Sequence, residues 1–250
     1  MSNERIDEIQ ELYDRCDSVS KAVNVLFFIN VILSFILLFD FLYRDVLVLI
    51  SLIVSILYVF ITNINEMYFC NIAENERRKS LLKESFNVNT TLRKTNKYYN
   101  NKVEPSFIKL GLNCYESVFF TRNVVDKMIP INIVKITVLG IIYTILMIKV
   151  ENIDLLLVIT QTIFSTEIVF SFIKLCYYKF QLDKISKDFE NIFFKIGLSN
   201  VDIDVLILDT TMDYECLKSY CKISTSSKIF MANNEEWSKE WKKLLKQIKE

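Results

Sequence analysis

The chain has 250 residues, of which 52% are apolar, and its 30 basic and 30 acidic side chains give a net charge of zero. Without an overall positive field, the composition gives no reason to expect direct binding of nucleic acid. The sequence contains no histidine, which removes the commonest general base and metal ligand of proteins. With only 3 glycines and 2 prolines, the chain lacks the turns that a β-rich fold needs, so long helices are expected.

The first part of the chain predicts a short helix followed by a membrane hairpin. Residues 1–21 carry apolar side chains at spacings of three and four, which predicts a cytoplasmic helix. Apolar runs follow at residues 22–43 and 46–64, each near the roughly 20 residues that cross a bilayer as a helix. Because so few residues separate the runs, residues 22–65 are predicted to form a first transmembrane hairpin.

The middle of the chain, residues 66–130, is predicted to be a cytoplasmic helical loop. A highly charged stretch at residues 74–86 is rich in strong helix formers. A polar loop is expected over residues 95–106, and residues 107–128 predict a second helix. That helix is expected to end at Pro130, because proline removes a backbone donor from a helix interior.

A second transmembrane hairpin is predicted over residues 131–175. Its apolar runs are residues 131–150 and 153–175, and only Glu151 and Asn152 separate them. The fold class expected from these features is an all-α membrane protein, with four transmembrane helices in two hairpins and long cytoplasmic helical extensions.

The distribution of basic residues orients the four predicted spans. The hairpin tips carry few basic groups, whereas the 66–130 loop and the C-terminal segment carry many. By the positive-inside rule, the loop and both chain ends are expected in the cytoplasm of a multi-pass inner-membrane protein. The basic residues of the loop are Arg77, Arg78, Lys79, Lys83, Arg93, Lys94, Lys97, Lys102, Lys109, Arg122 and Lys127.

The clearest periodicity lies in the predicted cytoplasmic tail, residues 176–250. Apolar side chains at spacings of four and three form a heptad seam over residues 178–196. The same spacing extends backwards through the fourth span and predicts one rod of about 44 residues, or roughly 65 Å. The seam either packs within the chain or joins subunits of an oligomer, and its candidate residues are Leu182, Ile185, Phe189 and Ile192.

The rest of the tail predicts short helices. Residues 201–209 are apolar and ambiguous between strand and helix, and a helix is expected near residues 211–222. A last helix is expected from about Asn234, with one apolar face. That face consists of Trp237, Trp241, Leu244, Leu245 and Ile248.

Glu167 lies inside the fourth predicted span, where a charge costs on the order of 3 kcal/mol to insert. The polar side chains that accompany it are Gln161, Thr160 and Ser171. One interpretation is a water-exposed pore path or a polar site between helices. The other is that Glu167 pairs with a lysine, or with Asn24 or Asn30 of the first span, and only fixes helix packing.

A basic and aromatic cluster in the cytoplasmic loop suits a nucleotide or phosphate ligand, because guanidinium groups and aromatic rings recognise both. The alternative is ordinary positive-inside charge lying at anionic lipid headgroups. The candidate ligand-binding residues are Arg77, Arg78, Arg93, Tyr98 and Arg122.

No sequence motif predicts an enzyme. The nucleophile, phosphate-loop, dinucleotide and metalloprotease patterns are all missing from the sequence, so no catalytic residues, metal or cofactor are expected. The 6 cysteines form no CxxC pair. They are expected to be isolated reduced thiols that pack as small apolar groups, without a disulfide framework.

Local motifs accompany this layout. The helix before the third span carries Glu116-Ser117 and Phe119-Phe120. The tail carries Tyr214-Glu215, Lys218, Ser227-Lys228-Ile229-Phe230 and Glu240-Trp241. With these residues the whole chain resembles the bacterial membrane effectors found beside nucleotide-second-messenger synthases, the SMODS-associating four-transmembrane and related two-hairpin families of CBASS-like systems.

The resemblance implies a dormant effector of anti-phage defence. A partner nucleotidyltransferase would make a cyclic nucleotide during infection, and the effector would bind it, oligomerise and permeabilise the inner membrane. Two other functions remain open from the residues alone. The chain is otherwise expected to be a membrane-anchored interaction or signalling scaffold, or one subunit of a small oligomeric channel or transporter.

Overall fold

A computed structural model of the chain describes residues 8–37, 43–93, 99, 101–149, 168–194 and 200–249. The described residues are helical or in connecting segments, and they contain no strand. The all-α class predicted from the sequence is therefore confirmed for this part of the chain.

The described chain is built almost entirely from long helices. In chain order the α-helices are α1 (Gln10–Ile36), α2 (Arg44–Ile64), α3 (Asn71–Phe86), α4 (Phe107–Lys149), α5 (Ile168–Phe194), α6 (Asn200–Cys221) and α7 (Ser227–Lys249). A π-helical segment, Asn65–Cys70, joins α2 to α3, so that the chain is helical without a break from Arg44 to Phe86.

Two helical segments of the described chain are long and apolar enough to cross a membrane, judged by length and composition. They are Gln10–Ser34 and Arg44–Phe86. The predicted third span is helical to Lys149 as the second half of α4, and it is not one of these two segments. Most of the predicted fourth span, residues 153–175, lies outside the described residues, which include only its end from residue 168 onwards.

The chain divides into two compact units. The helical unit consists of Met1–Gln10, Glu74–Ile131 and Lys174–Glu250, and the hairpin unit consists of Glu11–Ala73 and Asn132–Ile173. All four boundaries fall inside helices, namely α1, α3, α4 and α5.

In the hairpin unit, polar side chains join α1 to the segment that follows it. Asn30 and Ser55 exchange hydrogen bonds, with Asn30 Nδ2 2.8 Å from Ser55 Oγ and Ser55 Oγ 3.2 Å from Asn30 Oδ1. Asn65 Nδ2 donates to Ser20 Oγ at 2.9 Å and to the Cys16 carbonyl at 3.2 Å. From Val46 to Ile61 the helix α2 is apolar except for Ser51 and Ser55, and α2 has no buried side chain.

The π-helical segment explains a disulfide that the sequence pattern did not predict. Hydrogen bonds in a π-helix join residues five apart, so such residues lie nearly above one another, whereas an α-helix turns them to different faces. Asn65 and Cys70, five apart, both contact α1, and Cys70 forms a disulfide with Cys16 at a Cα–Cα distance of 5.3 Å. In the structure this pair is therefore linked, contrary to the expectation of isolated thiols, whereas Cys114, Cys176, Cys216 and Cys221 are free.

The core of the helical unit is aromatic. The Tyr115 ring stacks on Phe189 at 5.5 Å between centroids and meets Trp241 edge to face at 5.2 Å. Trp237, Trp241 and Leu245 are buried, so the predicted apolar face of the last helix is confirmed. The helix begins at Ser227, earlier than expected, where the Ser226 hydroxyl accepts a hydrogen bond from the Ile229 N–H.

Gly111 lets α4 approach its neighbours closely. A Cβ atom at this position would lie 3.0 Å from Ile207 Cγ2 and 3.0 Å from Phe193 Cζ, closer than ordinary carbon contacts allow. A larger side chain would therefore require the Ile207 or Phe193 side chain to move by a few tenths of an ångström.

One predicted helix end is wrong, and one segment that the sequence left ambiguous is helical. The helix predicted over residues 107–128 does not end at Pro130, because α4 runs through this residue to Lys149. Proline removes a single backbone hydrogen bond, and the residues on both sides keep theirs. Residues 201–209 belong to α6, where a buried seam at heptad spacing, Ile207, Thr210, Tyr214, Leu217 and Cys221, fixes the helical state.

The heptad seam of the tail lies within one chain. Leu182 and Phe189 are fully buried, and Ile185 and Ile192 are nearly so, all within the core of the helical unit. Of the two alternatives left open by the sequence, packing inside the chain accounts for the burial of these four side chains. The helix α5 does join the end of the predicted fourth span to the tail without a break.

Candidate functional site

The arginines predicted to bind a ligand have partners within the protein. Arg78 is exposed and donates to Asn75 Oδ1, and Arg93 donates to the Glu8 carbonyl at 3.2 Å. Arg122 contacts Asp183, whereas Arg77 is buried in a different ion cluster. Because the partners differ, these contacts do not gather the four arginines into one site, and Tyr98 lies outside the described residues.

The charged cluster around Arg77 is a largely enclosed polar site. Arg77 and Glu74 are one helical turn apart on α3, and Arg77 Nε donates to Glu74 Oε2 at 2.8 Å. The Nη2 atom of the same guanidinium contacts both carboxylate oxygens of Glu215 on α6, at 2.7 and 2.5 Å. Because only 6% of the Arg77 side chain is exposed, these charges attract one another with little screening by water.

Lys218 closes the cluster from the α6 side. Its Nζ lies 2.8 Å from Glu74 Oε1, so Glu74 bridges Arg77 and Lys218. Both cations also lie 5.9 Å from the centroid of the buried Tyr214 ring, within the range of a cation–π contact. We call Glu74, Arg77, Glu215 and Lys218 the ion cluster; its two acids and two bases have no net charge.

The pKa values of the ion cluster follow from this geometry. Burial on its own raises the pKa of Glu74, but the charges of Lys218 and Arg77 outweigh it and lower the pKa to about 2. Burial, together with the nearby Arg77, lowers the pKa of Lys218, and Glu74 and Glu215 oppose that change. The arrangement therefore favours the ionised form of Glu74 throughout the physiological range.

The other titratable groups near the ion cluster are held in their neutral forms. Burial raises the pKa of the Cys114 thiol to about 12, and the neighbouring Glu215 adds to this effect. Burial likewise raises the pKa of Tyr214, whose hydroxyl lies 3.1 Å from Thr121 Oγ1. A protonated, fully buried thiol is a poor nucleophile, so Cys114 is not suited to covalent catalysis.

A second ionic network joins α4 to α5. Arg122 Nε donates to Asp183 Oδ1 at 2.6 Å, and Lys179 Nζ contacts the same carboxylate and Asp126 Oδ1, the latter at 3.0 Å. Burial raises the pKa of Asp183, but hydrogen bonds from Lys179 and Arg122 lower it overall. Arg122 thus stabilises a helix pair, and its side chain remains about one-third exposed.

The predicted intramembrane polar site is described only in part. Glu167, Gln161 and Thr160 lie outside the described residues, and Ser171 is exposed on α5. Asn30, considered as a partner of Glu167, instead exchanges hydrogen bonds with Ser55.

Of the ion cluster only Arg77 is predicted as a site residue from the sequence, although a local signal exists for the other three. Glu74 and Arg77 on α3 are three residues apart, and so are Glu215 and Lys218 on α6. Each pair places opposite charges on one helix face beside buried side chains. The same acid–base spacing on α3 and on α6 is the sequence signal that indicates a contact between these two helices.

The described residues contain no group of three or more Cys, Asp and Glu side chains that could hold a metal ion. Comparison of the chain with protein-family models, with curated proteins and with solved structures finds no match.

Proposed function

We propose that this chain is a dormant membrane effector of bacterial anti-phage defence. Two hairpins anchor it in the inner membrane, with both chain ends and the helical unit in the cytoplasm. A cyclic nucleotide or a partner protein rearranges the helical unit, the chains associate, and the membrane becomes permeable.

The observation that carries the proposal is the continuous helix from Arg44 to Phe86. Its first half, α2, is almost entirely apolar and buries none of its side chains. An exposed helix of this composition is stable in lipid rather than in water. The last part of the continuous helix, α3, carries Glu74 and Arg77 of the ion cluster. One helix thus provides a route from a charged cytoplasmic site to the membrane.

In this proposal the ion cluster holds the resting state. Arg77 joins α3 to α6 through Glu215, and Lys218 joins α6 back to Glu74. A buried pair of this kind is costly to break one partner at a time, so it favours two discrete arrangements over a gradual change. An anionic ligand or an acidic partner would compete with Glu74 and Glu215 for the two cations.

The test is induced expression in a bacterial host, with a membrane-potential dye and phage yield as readouts. The proposal predicts depolarisation at high expression, and reduced phage yield when a nucleotidyltransferase of the same system is present. Normal potential and normal phage yield, with the protein inserted in the membrane, would contradict it. Glu167→Ala tests the predicted polar site, which is expected to change ion leakage.

A matched pair of variants tests the role of the continuous helix. Asn71 and Ile72 are exposed at the start of α3, so their replacement disturbs little packing. Asn71→Gly with Ile72→Gly weakens the helix by about 1 kcal/mol per residue relative to the alanine pair. Depolarisation is expected to fall for the glycine pair and to persist for Asn71→Ala with Ile72→Ala, at equal amounts in the membrane.

A second candidate function is a membrane-anchored scaffold. The observation that favours it is that the described arginines of the predicted ligand site already contact different groups of the same chain, so these contacts do not line one shared basic site. The scaffold predicts that no cyclic dinucleotide or trinucleotide changes the melting temperature of the detergent-solubilised protein. A concentration-dependent rise with any of them would favour the effector.

A further inference from the structure

The helix α5 carries a second heptad stripe, on the side opposite its buried seam. The stripe has spacings of three and four, and each of its side chains is exposed. Phe180 is 68% exposed and Tyr177 is 45% exposed, which is unusual for aromatic residues of a folded unit. In chain order the stripe is Tyr177, Phe180, Lys184, Lys187, Asn191 and Phe194.

The helix α6 carries a matching exposed stripe. Its residues follow the same spacing, and Tyr220 at its end is 74% exposed. In chain order the stripe is Leu206, Asp209, Asp213, Cys216 and Tyr220.

The two stripes lie side by side on one face of the helical unit. Tyr177 and Tyr220 meet edge to face at 6.2 Å, so the start of α5 lies next to the end of α6. Ile207 and Phe193 both approach Gly111, which places the opposite ends of the two helices close together as well. The helices are therefore antiparallel. Lys184 comes seven residues after Tyr177 on α5, and Asp213 comes seven residues before Tyr220 on α6. Both lie about 10 Å along their helix from the tyrosine contact, so they are at the same level.

Within the described part of the chain, the charges on this face have no ionic partner. Among the described residues, no ion pair or side-chain hydrogen bond involves Lys184, Lys187, Asp209 or Asp213. The face thus presents aromatic side chains at one end, and a basic column beside an acidic column at the other.

We propose that this face, formed by α5 and α6, is the contact surface for a second copy of the chain. The arrangement of the two copies rests on the proposed membrane function in one respect: copies anchored in one bilayer must have the same orientation relative to the membrane. A two-fold axis along the membrane normal then sets α5 of one copy against α6 of its partner. Each copy's Lys184 and Lys187 meet Asp213 and Asp209 of the other, and the exposed aromatic ends are covered together.

The charge pattern distinguishes this occupant from a lipid surface. Anionic headgroups attract surfaces with an excess of basic residues, whereas this face has as many aspartates as lysines. A surface that carries both columns side by side is complementary to itself, as a two-fold contact requires.

Charge-swap variants of the full chain in detergent test the proposal. Lys184→Asp with Lys187→Asp, and separately Asp209→Lys with Asp213→Lys, bring like charges together across the contact. Each pair is expected to weaken self-association at least about tenfold, measured by light scattering over a concentration series. An equimolar mixture of the two variants is expected to restore dimers, because their charges are again complementary.

The matched control is Lys242→Asp with Lys243→Asp, which makes the same change of charge on exposed positions of α7. It is expected to leave self-association unchanged. Restored association in the mixture also shows that both variants are folded. Wild-type chain that stays monomeric at all concentrations, swaps that associate like the wild type, or a mixture that fails to associate would each overturn the proposal.

A cross-linking experiment places the contact without reference to activity. Phe180 comes three residues after Tyr177 on α5, and the native Cys216 comes four residues before Tyr220 on α6, so the two positions lie at nearly the same level. A short thiol cross-linker is expected to give a dimer band with Phe180→Cys, alongside a link within one chain, because the two positions are neighbours there as well. Both products should vanish when Cys216→Ala is added. Because neither experiment measures depolarisation, dimers without any effect on membrane potential would reject the proposed function and leave this surface standing.

Discussion

Arg77 on α3 contacts both carboxylate oxygens of Glu215 on α6, at 2.7 and 2.5 Å, across a sequence separation of 138 residues. The contact joins the helix that follows the apolar α2 to a helix of the C-terminal tail. Glu215 is 16% exposed and Arg77 6% exposed, so neither charge could be left alone without a large penalty.

Removal of Arg77 is expected to destabilise the helical unit strongly. Arg77→Met leaves Glu215 as a buried carboxylate without its guanidinium, which typically costs about 3–5 kcal/mol in the free energy of unfolding. Unfolding by urea in detergent can be followed by tryptophan fluorescence, because both tryptophans, Trp237 and Trp241, are buried in this unit.

Two further variants control this measurement. Arg78→Met removes an exposed arginine of the same helix and is expected to cost less than about 0.5 kcal/mol. Adding Glu215→Leu to Arg77→Met removes the orphaned charge and is expected to recover part of the loss. Equal stability of Arg77→Met and Arg78→Met would show that the buried pair does not hold the unit together.

Stability of the helical unit is expected to fall in acid, partly because of Glu74. Its pKa is about 2 in the folded chain, against an ordinary value of 4.5, so the unfolded chain binds this proton first as the pH falls. The stabilisation is therefore complete above the ordinary value and is lost as the pH falls through the folded value.

The measurement is the urea midpoint at several pH values between about 7 and 3, the range in which the unfolded carboxylate titrates. Glu74→Gln does not titrate, so it should start lower at neutral pH and lose less on acidification than the wild type does. Glu240→Gln on the exposed side of α7 serves as the control and should follow the wild type. Parallel curves for the wild type and Glu74→Gln would contradict the assigned role of this carboxylate.

Local pattern was enough to predict much of the fold. The helical class follows from the scarcity of glycine and proline, and the apolar face of α7 follows from the spacing of Trp237, Trp241 and Leu245. These features are visible because each depends on neighbours within one helix.

The features that depend on partners far along the chain could not be predicted in the same way. The sequence shows Arg77 as one of many basic residues, and only tertiary packing sets Glu215 beside it. The spacing of the heptad seam locates it correctly, but periodicity cannot tell burial within a chain from burial between chains. Helix α4 also runs through Pro130 to Lys149, because a proline removes only one backbone hydrogen bond from a long helix.

Gly111 is expected to be the least tolerant glycine of the described chain. Gly111→Ala gains about 1 kcal/mol of helix propensity, but its Cβ would lie 3.0 Å from Ile207 and Phe193. Overpacking of this kind typically costs about 1–3 kcal/mol, so a net loss of stability is expected.

Gly140 on the same helix provides the comparison, because a Cβ there would meet nothing within 4 Å. Gly140→Ala is expected to keep or raise the melting temperature of the detergent-solubilised chain, measured by circular dichroism. If Gly111→Ala melts at or above the wild-type temperature, the close approach of α4, α5 and α6 at this position is not tight.

The disulfide between Cys16 and Cys70 gives a test of the proposed orientation. If the chain ends lie in the cytoplasm, the pair faces a reducing compartment, where disulfides rarely persist. We expect both cysteines to be alkylated when growing cells are lysed directly into N-ethylmaleimide, and to be linked after purification in air. Mass spectrometry of the peptides that contain Cys16 and Cys70 distinguishes the two states.

The state of this pair in growing cells decides between the two orientations of the hairpin. A pair already linked there would place this end of the hairpin outside the cytoplasm, and the orientation inferred from the basic residues would have to be reversed. Cys114 is free but buried, so N-ethylmaleimide reaches it only after the protein is denatured. The extent of its alkylation in the two denatured samples is therefore the internal control for incomplete alkylation. Full alkylation of Cys114 together with unlinked Cys16 and Cys70 would support cytoplasmic chain ends, because only a reducing compartment keeps two such close thiols apart.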